Sequence, residues 1–244
     1  LVEMAGDDFY FDELVIDEAQ DVLRDDYLDF LDISLKGGLA SGRWRFFGDF
    51  EKQAIYKSAN LTLHEALEHR AKGVPLYSLR VNCRNPPRIA ETARLLGGLD
   101  PAYKKILRPD NGIEPRIRYY KDNEEQQALL IKVLDDLYRD GFSNESLIVL
   151  SSRSDTACCA SQINSHPWKE RLKPFTSAAK GQARYCSVHA FKGLESPAVI
   201  VTDIDRISDP AALAIFYVAI TRAVDRLVLL VHEAARDEII HALT

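Results

Sequence analysis

The stretch "AVIVTDIDRISDPAALAIFYVAITRAVDRLVLLVH", residues 198–232, decides the fold class. "AVIVTDI" (198–204) and "RLVLLVH" (226–232) are rich in β-branched residues and apolar almost throughout, as strands covered on both faces of a parallel sheet should be. "PAALAIFYVAITRA" (210–223) between them reads as helix. Strand, helix and strand in succession argue for α/β layers.

The same alternation continues outward. "SLIVLSS" (146–152) and "YCSVHA" (185–190) predict two further strands. "EEQQALLIKVLDDLYRDG" (124–141) predicts a helix with Leu130, Val133, Leu134 and Leu137 on one face and Gly141 as its stop. "VPLYSLRVN" (74–82) predicts another strand, followed by a helix through "RIAETARLL" (88–96) that starts at Pro86 and Pro87. Near the start, "FDELVIDEAQD" (11–21) holds a short strand centred on Leu14–Ile16, and "RWRFFGD" (43–49) a second. Asp21 is placed to cap a helix through "VLRDDYLDFLDISL" (22–35), ended by Gly37 and Gly38. A boundary near "KGVP" divides the chain into residues 1–76 and 77–244.

Composition narrows the classes. Of 244 residues, 46% are hydrophobic and 28% charged, and no apolar run approaches the roughly 20 residues of a membrane helix. The four cysteines have no C-x-x-C spacing and the six histidines no metal-ligand spacing, so we expect reduced thiols in a cytoplasmic protein. The net charge of −6 is unevenly spread. Residues 1–32 hold twelve acids against Arg24 alone, and the remainder carries 30 basic against 25 acidic residues. Nucleic-acid binding therefore stays open.

"LVIDEAQD" (14–21) sets Asp17 and Glu18 at the end of a buried strand. Alone, such a pair reads first as solvated acids at a helix start. In open α/β sheets, however, ligands bind at the carboxyl ends of strands, and a hard divalent cation wants oxygen ligands there. The pair has company: "GDFEKQAIY" (48–56), "LRVNCRNPPRIA" (79–90), "SVHAFKGLESPAVIV" (187–201) and "FYVAITRAVDRL" (216–227) follow in order.

This ordered set resembles motifs II to VI of the UvrD/Rep-like superfamily 1 DNA helicases. The resemblance implies a RecA-like, P-loop NTPase architecture, with the end of a first lobe and a complete second lobe. It further implies ATP and Mg²⁺ as cofactors, and single-stranded DNA or a single-strand/duplex junction as partner. Asp17 would serve the metal and Glu18 the hydrolytic water. Asp49 would lie near the nucleotide, and Gln53 would sense the γ-phosphate. Arg84 and Arg222 would reach the triphosphate, Glu195 the ribose, and Ser187, His189 and Lys192 the DNA.

Departures accompany the resemblance. Cys83 stands where the family has tyrosine, and Ser187 where it commonly has threonine. "KSAN" (57–60) replaces the base-stacking aromatic that often follows "IY". The spacing from Arg84 to "KGLE" is too short for the large mobile insertion of many relatives. No G-x-x-x-x-G-K-[ST] loop occurs, so we expect the chain to be a C-terminal portion that lacks its phosphate loop and is inactive alone. Two other readings stay open: a non-enzymatic DNA- or protein-interaction module derived from a helicase, and, less favoured, a metal-dependent nuclease.

Overall fold

The computed structural model describes residues 10–49, 67–99 and 103–243. The chain forms two compact units, Leu1–Leu79 and Arg80–Thr244.

In the first unit, β1 (Glu13–Ile16) and β2 (Arg43–Phe46) pair in parallel, with Leu14 opposite Trp44 and Ile16 opposite Phe46. Alternation sends Leu14, Trp44 and Phe46 against a core of Leu23, Leu28, Leu35, Leu39, Leu67 and Ala71. Between the strands lie α1 (Asp25–Ser34) and the single turn α2 (Gly38–Ser41). The expected cap at Asp21 does not form. Glu18 turns left-handed (φ 52°), a 3-10 turn occupies Ala19–Val22, and the helix restarts at Asp25 behind Arg24.

The second unit opens with β3 (Val81–Asn82), α3 (Pro87–Leu96) and β4 (Lys105–Ile106), β3 and β4 forming a parallel pair. The strand expected over 74–82 shrinks to those two residues. Leu76, Tyr77 and Leu79 are 68%, 86% and 87% exposed, so their apolar side chains contribute nothing to a core strand.

A six-stranded sheet follows, built from β5 (Arg116–Tyr120), β6 (Leu147–Ser151), β7 (Leu172–Pro174), β8 (Ala183–Ser187), β9 (Ser196–Ile204) and β10 (Ala223–His232). Its order is β5-β10-β9-β6-β8-β7 and every pairing is parallel. Helix α4 (Asn123–Arg139) carries Leu130, Val133, Leu134 and Leu137 into one core with Leu147, Val149, Ala198, Ile200, Val228 and Leu230. The short α5 (Trp168–Arg171) adds Trp168 to it. The alternate strand residues, Ile148, Leu150, Val199, Val201, Leu227 and Leu229, are equally buried. Helix α6 (Pro210–Thr221) packs on β9 and β10, and α3 packs on α6 and on α7 (Arg236–Leu243). This doubly covered parallel sheet is the α/β, RecA-like architecture expected from the sequence. Among the described residues, no helix is long and apolar enough to cross a membrane.

Candidate functional site

In the first unit the parallel pairing of β1 with β2 puts Asp17–Glu18 and Asp49 beyond neighbouring strand ends. Buried Gln20 joins them, donating from Nε2 to Glu18 Oε2 (2.6 Å) and accepting from the Asp49 backbone N–H (3.2 Å). Asp17 Oδ1 accepts the Glu18 N–H at 2.8 Å, consistent with the sharp turn there. A Cβ at Gly48 would run into Gln20 Oε1, so any larger residue there would push the Gln20 side chain out of its present position. A non-glycine residue held left-handed costs of order 1–3 kcal/mol and persists where its surroundings over-determine it. Gln53 lies outside the described residues, as do Tyr56 and the segment 57–60.

The second unit gathers three of the expected residues from three distant segments. Arg84, following β3, donates from Nε to Glu195 Oε2 at 2.7 Å. Among the described residues its two terminal nitrogens make no further bond. Glu195 and Arg222 immediately precede Ser196 and Ala223, which face each other at the start of β9 and β10. Arg222 is 1% exposed. It donates to the carbonyls of Val218 (3.1 Å) and Leu194 (3.3 Å) and to Thr221 Oγ1 (3.3 Å). A buried charge must be hydrogen-bonded, and these acceptors meet that need. The cluster thus sits at the amino ends of β9 and β10, opposite to the strand-end rule that suits the first unit.

Ser187, His189 and Lys192 lie elsewhere. Ser187 closes β8, with its N–H donating to Asp155 Oδ1 at 2.7 Å. His189 opens a 3-10 turn ending at Phe191, and Lys192 follows it. Because β8 and β9 are parallel to β6 between them, the eight residues from Val188 to Glu195 traverse the sheet. One motif therefore serves two edges: Ser187 and His189 at the carboxyl edge, Glu195 at the amino edge.

Two groups of residues were not anticipated. Asn82 and Asn85, both buried, bracket Arg84; Asn82 belongs to the same motif as Arg84, but neither asparagine was given a role. At the carboxyl edge, buried Asp203 is left-handed (φ 61°) and accepts from Ser151 Oγ (2.7 Å), Thr202 Oγ1 (2.9 Å) and the Cys159 N–H (3.2 Å). Arg153 pairs with Asp205 at 2.9 Å and lies 3.6 Å from Asp203. The hydrogen bond to Asp205 raises the Arg153 pKa further, and burial raises that of Tyr120 beside them. A cavity of about 230 Å³ lies here, with Ser152, Asp203 and Arg206 on its polar side and Ile215 and Phe216 on its apolar side. No cluster of three or more metal-ligating side chains occurs among the described residues. A divalent cation at Asp17 would keep most of its water, as Mg²⁺ commonly does.

Comparison with known proteins adds the following. Residues 182–230 match the family model of the UvrD-like helicase C-terminal domain. No curated protein matches in sequence. Among solved structures, the chain is similar to the C-terminal domain of a possible DNA helicase from Lactobacillus plantarum WCFS1, at 15% identity and a TM-score of 0.47, over 63% of this chain and 89% of that one. It is also similar to arterivirus nonstructural protein 10, a helicase, at 16% identity and a TM-score of 0.45, over 89% of this chain and 38% of that one. The helicase of PRRSV gives 12% identity and a TM-score of 0.45, over 89% and 34%. By sequence, then, residues 182–230, which hold Glu195, Arg222 and the helix between β9 and β10, are similar to the UvrD-like helicase C-terminal domains.

Proposed function

We propose that this chain is the C-terminal portion of an ATP-dependent superfamily 1 helicase or translocase acting on single-stranded DNA, or on a single-strand/duplex junction, with 3′→5′ polarity. The observation that carries the reading is the convergence of Arg84 with Glu195 and Arg222, which follow it by more than a hundred residues, at one edge of a parallel sheet.

Each unit by itself offers groups suited to a magnesium-bound nucleoside triphosphate. Asp17 offers a hard oxygen to the cation, which when bound neutralises phosphate charge. Glu18, held by Gln20, is the group to orient or deprotonate the attacking water. Arg84 presents two terminal nitrogens, suited to bidentate recognition of phosphate oxygens. Arg222 would offer its guanidinium to charged phosphate oxygens, which form strong, charge-assisted hydrogen bonds. Glu195 is the carboxylate for the ribose, and Gln53 the γ-phosphate sensor. Ser187 and His189 at the opposite edge, with Lys192 in the segment that crosses the sheet, are the groups for the nucleic acid, so one short segment joins strand contact to the nucleotide side.

The test is ATP hydrolysis with and without single-stranded DNA. Purified residues 1–244 are expected to turn over essentially no ATP. A longer protein carrying an upstream glycine-lysine-threonine loop should hydrolyse it with DNA stimulation. In that protein Arg222→Ala should cost ~10³–10⁵-fold in rate with the fold retained. Multiple turnover by residues 1–244, abolished by Glu18→Gln, would contradict the proposal. DNA binding by the longer protein with no response to nucleotide would favour an interaction module instead.

A further inference from the structure

Asn85 is 2% exposed and lies next to Arg84, yet its side chain looks away from that residue's partners. Its Nδ2 donates to the carbonyl oxygens of Thr221 (3.1 Å) and Ala223 (2.7 Å), the two residues flanking Arg222. Its Oδ1 accepts from Asn82 Nδ2 at 3.1 Å. Asn82 Oδ1 in turn accepts the backbone N–H groups of Arg84 (3.0 Å) and Asn85 (2.9 Å), which fixes the turn between β3 and α3.

These bonds close a ring. From Arg84 the path runs through its guanidinium to Glu195, along one peptide to Ser196, and through the Ser196 N–H to the Arg222 carbonyl at 3.0 Å. From Arg222 it passes to its two neighbours, through the Asn85 amide, and back to Arg84. No member can shift without stretching another. The amide bonds are dry, so each is stiffer than its exposed counterpart. We propose that Asn85 is a positioning residue that holds the segment of Arg84 in register with the helix–strand junction of Arg222, so that the two guanidinium groups meet one polyphosphate together.

Among the described residues, Asn85 is the side chain that hydrogen-bonds the backbone on both sides of Arg222. Glu195 is exposed and touches only the mobile end of Arg84, whereas Asn85 joins backbone to backbone. An aspartate would lose both donations and set a carboxylate against two carbonyls. An alanine would leave the Thr221 and Ala223 oxygens without this donor. A shift of about 1 Å in a group that must meet a transition state can cost ~10²-fold in rate.

This inference rests on the proposed ATPase reading, and the experiment separates the two. In the longer protein with its phosphate loop, kcat and KM for ATP are measured for the unaltered protein, Arg84→Ala, Asn85→Ala and the double variant. Asn85→Ala is expected to lower kcat roughly 10- to 100-fold while leaving KM within about threefold. In the Arg84→Ala background the same change should alter kcat by less than about twofold, since there is no Arg84 left to position. Asn85→Ser, which keeps one donor and leaves a smaller hole, is carried through the same cycle and should fall between. Losses that multiply across the cycle, or an unchanged kcat, would overturn the inference. Unfolding of both Asn85 variants would overturn it as well, making Asn85 a stability residue. An inactive unaltered protein would overturn the functional reading, and this inference with it.

Discussion

Cys83 is exposed, whereas Cys158, Cys159 and Cys186 are buried in the second unit. Burial disfavours the thiolate, which pushes Cys159 and Cys186 up to about 12 and raises Cys158 as well. A raised pKa keeps these three thiols protonated, and therefore unreactive, through neutral and mildly alkaline pH. A disulfide reagent at pH 8 should titrate one thiol in the native chain and all four after denaturation. Rapid modification of three or more in the native chain would contradict this burial. Arg84, Glu195 and Arg222 were named because the motifs that hold them resemble those of the UvrD/Rep-like helicases. Asn85 was not, because an asparagine before two prolines reads as an ordinary turn residue; its partners lie 136 and 138 positions away.

Elements were legible in proportion to their burial. The central strands β6, β9 and β10 are apolar on both faces and stood out by composition alone. β5 escaped notice because it is an edge: Arg116 and Arg118 alternate with Ile117, as exposed charges should on a strand with one neighbour. β7, three residues ending in proline, closes the other edge. The opposite error, a strand expected over 74–82, came from counting apolar residues where the structure gives most of them no partner. Helix α4 was read correctly because its stripe is regular and its start is sealed. Asp122 Oδ1 accepts the Glu125 N–H at 2.9 Å, and Glu125 accepts the Lys121 N–H at 2.8 Å. Leu134 on that stripe is fully buried, so Leu134→Ala should lower unfolding free energy by about 2–5 kcal/mol in a denaturant titration. A loss under about 1 kcal/mol would mean that α4 does not pack as described.

At the scale of the molecule, the two units differ in what supports them. The second has a six-stranded sheet covered on both faces, whereas the first shows one parallel strand pair and a small leucine core among its described residues. A two-stranded pair is marginal in water without further packing. Residues 80–244 expressed alone should therefore unfold in a single cooperative transition, followed by near-ultraviolet circular dichroism. A broad, non-cooperative melt would show that this sheet depends on residues 1–79. The α/β class was readable from alternation, but strand order was not. No local pattern says that β10 inserts beside β5 or that β6 separates β8 from β9.

That order has a consequence for biosynthesis. β10 is the last strand of the sheet to leave the ribosome, yet it sits between β9 and β5, which emerges about a hundred residues earlier. Until residues 223–232 are translated, β5 has no neighbour and the nine-residue β9 offers a bare hydrophobic margin to the cell. A nascent polypeptide stalled in that interval is the form most in need of a chaperone.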